Sequence, residues 1–372
     1  MTLHRIEARV HLRHCDCVTS AGAASPAAAT GVTTDSGAAF ERAFELHRDG
    51  KLAQALAAYE ALLERWPGHA QALHYSGVLL FQTGRLDAAV AKIESSLKSV
   101  PGSADAWCNL ALVYQAQGRL QQAVAALNEA LRHESGQPQI WNNLAGVLLA
   151  SGRATDAESA VRRALQIDAA NPASQFNLAL CFDAQGRFDE ALRQTEAMVR
   201  AFPEAIAPAG LKAQIEQSLG RLDAARTTLV TALARNGERP AAAPLYFQRA
   251  NIEQQQGKFV EAASALERVL QLDSGSAGAL SELLFLRKQL ADWHDLGVLR
   301  GRFRAGVAAK QGRLSPFVCS VIRRPGPNNG AARKAGVRRT PSLRNRSVNP
   351  RTACCASATC PRIFASTLPA CW

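Results

Sequence analysis

ADAWCNLALVYQAQGRLQQAVAALNEALRHESGQ (residues 104–137) runs without a gap into PQIWNNLAGVLLASGRATDAESAVRRALQIDAAN (residues 138–171). Set one beneath the other, the two stretches place Trp107 over Trp141, Leu110 over Leu144, Ala111 over Ala145, Gly118 over Gly152 and Ala123 over Ala157. The register extends outward in both directions. Seven glycines, Gly50, Gly84, Gly118, Gly152, Gly186, Gly220 and Gly257, recur every 34 residues, and only the last interval is three residues longer. A fixed period of this length belongs to a helix–turn–helix unit stacked on copies of itself. Glycine suits the left-handed residue that ends one helix and turns the chain into the next. A basic or polar residue and then an apolar one follow it, as in Gly84-Arg85-Leu86 and Gly186-Arg187-Phe188.

Counting each unit so that its turn glycine is residue 15 puts the units at 36–69, 70–103, 104–137, 138–171, 172–205, 206–239 and 243–276. Position 8 is always small (Ala43, Gly77, Ala111, Ala145, Ala179, Ala213, Ala250), and position 20 is always alanine, from Ala55 to Ala262. Two helices approach closely only where side chains are small, so these positions mark the crossing within each pair. Larger apolar groups flank it at position 17 (Leu52, Leu86, Leu120, Phe188, Leu222, Phe259) and position 24 (Tyr59, Ile93, Leu127, Val161, Leu229, Leu266). This spacing gives each helix one buried stripe. Pro67, Pro101 and Pro203 stand at position 32, where a helix must stop.

The pattern resembles the tetratricopeptide repeat family, most fully in units 104–137 and 138–171, and the resemblance covers roughly residues 36–276. It implies an all-α, right-handed superhelical solenoid of about seven helix pairs that binds proteins. Arg42, Lys212 and Arg249 depart from it at position 7, where an apolar residue is usual. An eighth unit starts at Ala277, but Leu284 at its position 8 is too large for a close crossing and no turn glycine follows. Residues 277–290 are therefore read as a capping helix, since a terminal unit has no further neighbour to stack on.

The formal net charge of +12 is unevenly placed. No Asp or Glu follows Asp295, and residues 296–372 carry 15 Lys or Arg, whereas the rest of the chain has a balance of −3. The repeat region is thus nearly neutral, and its overall field favours neither nucleic acid nor an anionic membrane. Cys108 and Cys181 are isolated thiols within the repeats, as expected of small core residues in a reducing compartment. No apolar run of membrane-spanning length exists, and residues 1–35 lack the apolar core of a signal peptide. These 35 residues are read as a flexible segment and the location as cytoplasmic. His11, His14, Cys15 and Cys17 cluster near the start, but zinc sites need a second ligand pair, which is missing. No metal, cofactor or catalytic residue is assigned.

In tetratricopeptide proteins the first helix of each unit lines the concave face. Position 6 there reads Glu41, Tyr75, Asn109, Asn143, Asn177, Leu211 and Gln248. Three successive asparagines form a ladder whose amides both donate and accept, and so can pair with the main chain of an extended peptide. Asn109, Asn143 and Asn177 are the candidate peptide-binding residues. The plainer reading is that they are solvated or bonded to a neighbouring helix. Trp107 and Trp141, at position 4, are read as core. A clamp for a C-terminal carboxylate is disfavoured, because position 5 (Phe40, His74, Cys108, Asn142, Phe176, Gly210, Phe247) offers no lysine.

Residues 286–317 contain Asp292-Trp293, Leu296, Leu299, Phe303 and Ser315-Pro316-Phe317. They resemble the junction between repeats and catalytic half in bacterial SPINDLY-type O-linked N-acetylglucosamine transferases. That resemblance, with the asparagine ladder, implies an alternative: the substrate-recognition half of such an enzyme without its catalytic half. A second alternative is an assembly scaffold that uses the convex face. The organisation expected is thus 1–35 flexible, 36–276 repeats, 277–317 capping helix and junction, and 318–372 a basic, acid-free, disordered tail.

Three origins of the tail compete. A nucleic-acid-binding arm would use Arg323, Arg324, Arg338, Arg339, Arg344 and Arg346, but aromatics for base stacking are scarce. A zinc site lacks paired CxxC motifs, since Cys354 and Cys355 are adjacent. The favoured origin is out-of-frame translation of GC-rich DNA, which explains the abrupt shift to Arg, Pro, Ser, Thr, Ala and Cys. The coding DNA decides it. Beyond codon 317 another frame should stay open well past the present stop and restore acidic residues and periodic apolar patterns. Only short open runs in both other frames would favour the basic arm.

Overall fold

The computed structural model describes residues 33–292 and 296–308. They form sixteen α-helices in consecutive pairs, with no strand among the described residues. The pairs are α1 (Thr33–Arg48) and α2 (Leu52–Arg65), α3 (Ala70–Gln82) and α4 (Leu86–Ser99), α5 (Ala104–Ala116) and α6 (Leu120–His133), α7 (Pro138–Ala150) and α8 (Ala154–Ile167). There follow α9 (Pro172–Ala184) and α10 (Phe188–Ala201), α11 (Ile206–Ser218) and α12 (Leu222–Asn236), α13 (Ala243–Gln255) and α14 (Phe259–Leu272), and α15 (Ala277–Gln289) and α16 (Leu296–Ala308). The odd-numbered member of each pair is helix A and the even-numbered one helix B. The three residues that lengthen the last glycine interval form a 3-10 turn, Pro240–Ala242. No helix among the described residues is long and apolar enough to cross a membrane.

Each pair turns in the same way. All seven repeat glycines have φ between 73 and 79°, where a side chain would be strained. The residue after each glycine donates its N–H to a carbonyl five residues back, for example Arg85 to Leu80 at 2.9 Å and Arg119 to Tyr114 at 2.8 Å. This closes the orphan carbonyls of helix A. The same residue then accepts the first bond of helix B, from the alanine of position 20, as in Ala123 N–H to Arg119 O at 3.1 Å.

The alanines of positions 8 and 20 have no exposed surface, and neither do Tyr59, Ile93, Leu127, Val161, Leu229 and Leu266 at position 24. Gly77 shows how tight the crossing is: a Cβ added there would lie 2.6 Å from Ile93 Cγ1. Position 17 needs correction. It is the first residue of helix B, so its side chain sits at the rim; Leu52, Leu86 and Leu120 are half-buried and Phe259 is exposed. Buried clusters run from one unit into the next, such as that joining Leu80, Ile93, Leu110, Leu127, Leu144 and Val161. Stability therefore comes from neighbour-to-neighbour stacking.

The eighth unit goes further than one capping helix. Helix α15 is followed by α16, whose Leu296, Leu299 and Phe303 are buried in one cluster with Leu280, Leu283 and Leu284. Ala291 stands at the turn position with φ 53°, and Asp292 N–H closes on Arg287 O at 2.8 Å, as after the glycines. The pair thus turns like the other seven without glycine, and its crossing is built from leucines.

The cations at position 7 of units six and seven have a local partner four residues on. Lys212 pairs with Glu216 at 3.0 Å, and Arg249 with Glu253 at 2.7 Å. In the middle units these two positions hold Leu110 and Tyr114, or Leu144 and Leu148. An ion pair has replaced an apolar pair in both places at once, which removes the expected conflict in packing. Arg42 in unit one is exposed. Lys212→Leu alone would strand the buried Glu216 carboxylate and should cost about 3 kcal/mol. The double variant Lys212→Leu/Glu216→Leu should return to within about 1 kcal/mol of the parent in urea denaturation.

Candidate functional site: the inner face of the A helices

Neighbouring A helices touch one another from α1 through α13, whereas contact between successive B helices is weaker. The A helices consequently form the inner side of the stack. Their polar side chains meet across the seams, with position 5 of one unit facing position 6 of the next. Asn109 Nδ2 donates to His74 Nε2 at 2.8 Å, Asn177 Nδ2 approaches Asn142 Oδ1 at 3.5 Å, and Gln248 Nε2 donates to Gly210 O at 3.1 Å. Closer to the turns, His47 Nε2 lies 3.1 Å from Gln82 Oε1, and Gln214 Nε2 donates to Asp183 Oδ2 at 3.1 Å.

The three ladder asparagines therefore differ. Asn109 is 7% exposed and committed to His74, which is the plainer reading of the ladder: here position 6 is bonded to a neighbouring helix, in the seam between A helices. Asn143 is half-buried, and its Nδ2 is shielded from solvent without a hydrogen-bond partner. Asn177 is half-buried and holds only the long contact to Asn142, which itself donates to Ser174 Oγ at 2.9 Å. Asn142 thus joins this group, although a reading confined to position 6 missed it. Its signal was the offset of 35 residues between bonded partners, one more than the period.

Trp107 and Trp141 lie at the rim of the core. Their indole N–H groups donate to Pro101 O at 2.8 Å and Ser135 O at 3.0 Å in the loop before each unit. Cys108 and Cys181 are buried and form no disulfide, and burial pushes the Cys181 thiol up to about 12. Among the described residues no group of three or more His, Cys, Asp or Glu is placed to hold a metal. The cluster at His11, His14, Cys15 and Cys17 lies outside the described residues, as do Trp293, Ser315-Pro316-Phe317 and the tail from 318.

A tetratricopeptide repeat family model matches residues 38–104, 108–172 and 211–277, and a second tetratricopeptide repeat model matches residues 148–215. The chain belongs to the tetratricopeptide repeat family. Among solved structures, a tetratricopeptide repeat protein from Parabacteroides merdae is 17% identical with a TM-score of 0.60, covering 68% of this chain and 98% of that one. Yeast Tom70 is likewise 17% identical with a TM-score of 0.58, covering 74% of this chain and 62% of that one. At such identities the likeness is one of fold. No curated protein matches the chain in sequence.

The His74–Asn109 seam makes stability depend on pH. Burial lowers the His74 pKa to about 4, and a neutral Nε2 is needed to accept from Asn109. The folded value lies below the unfolded one near 6.5, so this contribution is complete above about pH 6.5. It should be lost progressively as pH falls toward 4. Burial lowers His47 and His69 as well, and they add to the same trend. Thermal melts across this range should show the fall, and it should be shallower in His74→Gln.

Proposed function

We propose that the protein is a non-catalytic interaction module whose inner face, at units 104–137, 138–171 and 172–205, holds an extended segment of a partner protein. The observation that carries this reading is the Asn143 amide. A shielded N–H without a partner is costly, and the half-buried side chain has only to turn toward the groove to donate it to a main-chain carbonyl running there. Asn177 and Asn142 continue the same row toward unit 172–205, and their long contact leaves hydrogen-bonding capacity for a second peptide group. Tetratricopeptide repeats are in general protein-binding elements, and main-chain recognition would suit partners of varied sequence.

A second reading, as the recognition half of an O-linked N-acetylglucosamine transferase, draws on the same amides and on the junction residues Leu296, Leu299 and Phe303. A recognition half has no transferase site of its own, so the test adds a separately supplied catalytic half to UDP-N-acetylglucosamine and acceptor peptides. Faster transfer in the presence of this chain would support the reading, and unchanged transfer would oppose it. A scaffold acting through the B helices would keep its partner when the groove is altered.

For the groove reading, Asn143→Ala and Asn177→Ala should fold as the parent does and weaken a captured partner by about 0.5–1.5 kcal/mol each. Asn109→Ala should instead lower the melting temperature, since it breaks the buried bond to His74. Isothermal titration and thermal melts separate the two effects. Unchanged affinity in the Asn143→Ala/Asn177→Ala double variant would refute the groove.

A further inference from the structure

The inner face changes character at its N-terminal end. Here the A helices carry an aromatic group in place of amides. The Phe44 ring meets Tyr75 edge-on at 5.0 Å and stacks on Phe40 at 5.9 Å, and Phe40 lies 5.7 Å from Tyr75. Phe44 and Tyr75 are half-buried, so part of each side chain remains accessible. Glu41 occupies position 6 of unit one, as Tyr75 does in unit two, and Asp105 is the second residue of unit three. Both carboxylates act through space on the Tyr75 phenol, which is raised above the ordinary tyrosine value, chiefly by burial. Burial likewise raises the Asp105 carboxyl, so its negative charge is under-compensated where it stands.

Three further facts bear on the occupant. None of the ion pairs among the described residues involves Glu41 or Asp105. The hydroxyl of Tyr59, a residue with no exposed surface whose ring lies against Phe40 and His47, has no hydrogen-bond partner, and it feels the charge of Tyr75 and Glu41. Elsewhere the chain covers its aromatic rings with its own arginines, Arg119 over Tyr114 at 4.5 Å and Arg187 over Phe182 at 4.3 Å. Among the described residues no arginine covers Tyr75 in this way.

We propose that this end of the groove receives a lysine or arginine side chain of the bound segment, held by Glu41 and Asp105 over the Tyr75 ring. The inference rests on the groove reading above and names the chemistry of its ligand. Two carboxylates, the Tyr75 phenol oxygen and an aromatic face offer acceptors and negative potential, and lysine and arginine are donors without acceptors. An acidic side chain is repelled here, and a neutral one leaves both carboxylates without a counter-charge.

The test uses the full chain and an array of synthetic 12-residue peptides. Peptides that bind are remade with each lysine or arginine replaced by glutamine, and their affinities are measured by fluorescence anisotropy. Replacing one particular basic residue should weaken binding about tenfold. In Glu41→Gln/Asp105→Asn that difference should vanish, with the glutamine peptide bound as before. Glu41→Gln alone should show part of the effect. Glu41 is exposed, so a change there reports binding and not folding. Asp105 also sits in the first turn of α5, where a negative charge favours the helix. Asn143→Ala should weaken both peptides equally. Absence of a basic preference, or a preference that survives the double variant, overturns the cation site and leaves the groove reading intact. If no peptide binds the parent better than the Asn143→Ala/Asn177→Ala variant, both readings fall together.

Discussion

Everything in this molecule hangs on how closely two helices of a pair can approach. The alanines of positions 8 and 20 have no exposed surface, and at Gly77 even a methyl group would collide with Ile93. Once the crossing is fixed, the left-handed glycine has one geometry to satisfy, and the next unit meets an identical surface. Repetition of a single close contact therefore generates the stack, and the apolar clusters that span unit boundaries follow from it. An overpacked crossing would not stay local, because each unit is the neighbour of two others.

The period, the turns and the crossing alanines were legible in the sequence because each rests on one residue type at one spacing. What escaped it was substitution by an equivalent. Ala291 does the work of a turn glycine, so the second half of the last pair carried no signal for a reading keyed to glycine. Lys212 and Arg249 look out of place only until Glu216 and Glu253, one turn further along the same helices, are taken with them. The residue type at one position says nothing about a pair that changes together. The ladder was half legible: the amides are where the register puts them, but which are spent on the fold depends on the side chain one helix away. Asn109 meets His74, whereas Asn143 follows a unit with Cys108 at the matching place and keeps an idle donor.

The inner face is thus a shared resource. A polar side chain between two A helices can hold the units together or face a ligand, and each seam divides that capacity differently. Burial decides the division: the wholly enclosed contact stabilises the stack, and the half-buried one remains open to exchange. Amides in the middle and aromatics with carboxylates at the N-terminal end give the inner face two chemically different stretches.

The left-handed Ala291 has a consequence for how the stack comes apart. An alanine held there is strained by roughly 1–2 kcal/mol, a strain that glycine at the other seven turns avoids. Release of α16 from the Leu280–Leu284 surface relieves that strain, so opening of this pair costs less than opening of the other seven. Amide exchange should then be faster across α16 than across the other B helices, and the apolar strip uncovered by Leu296, Leu299 and Phe303 would be an early hydrophobic surface for a chaperone or a protease.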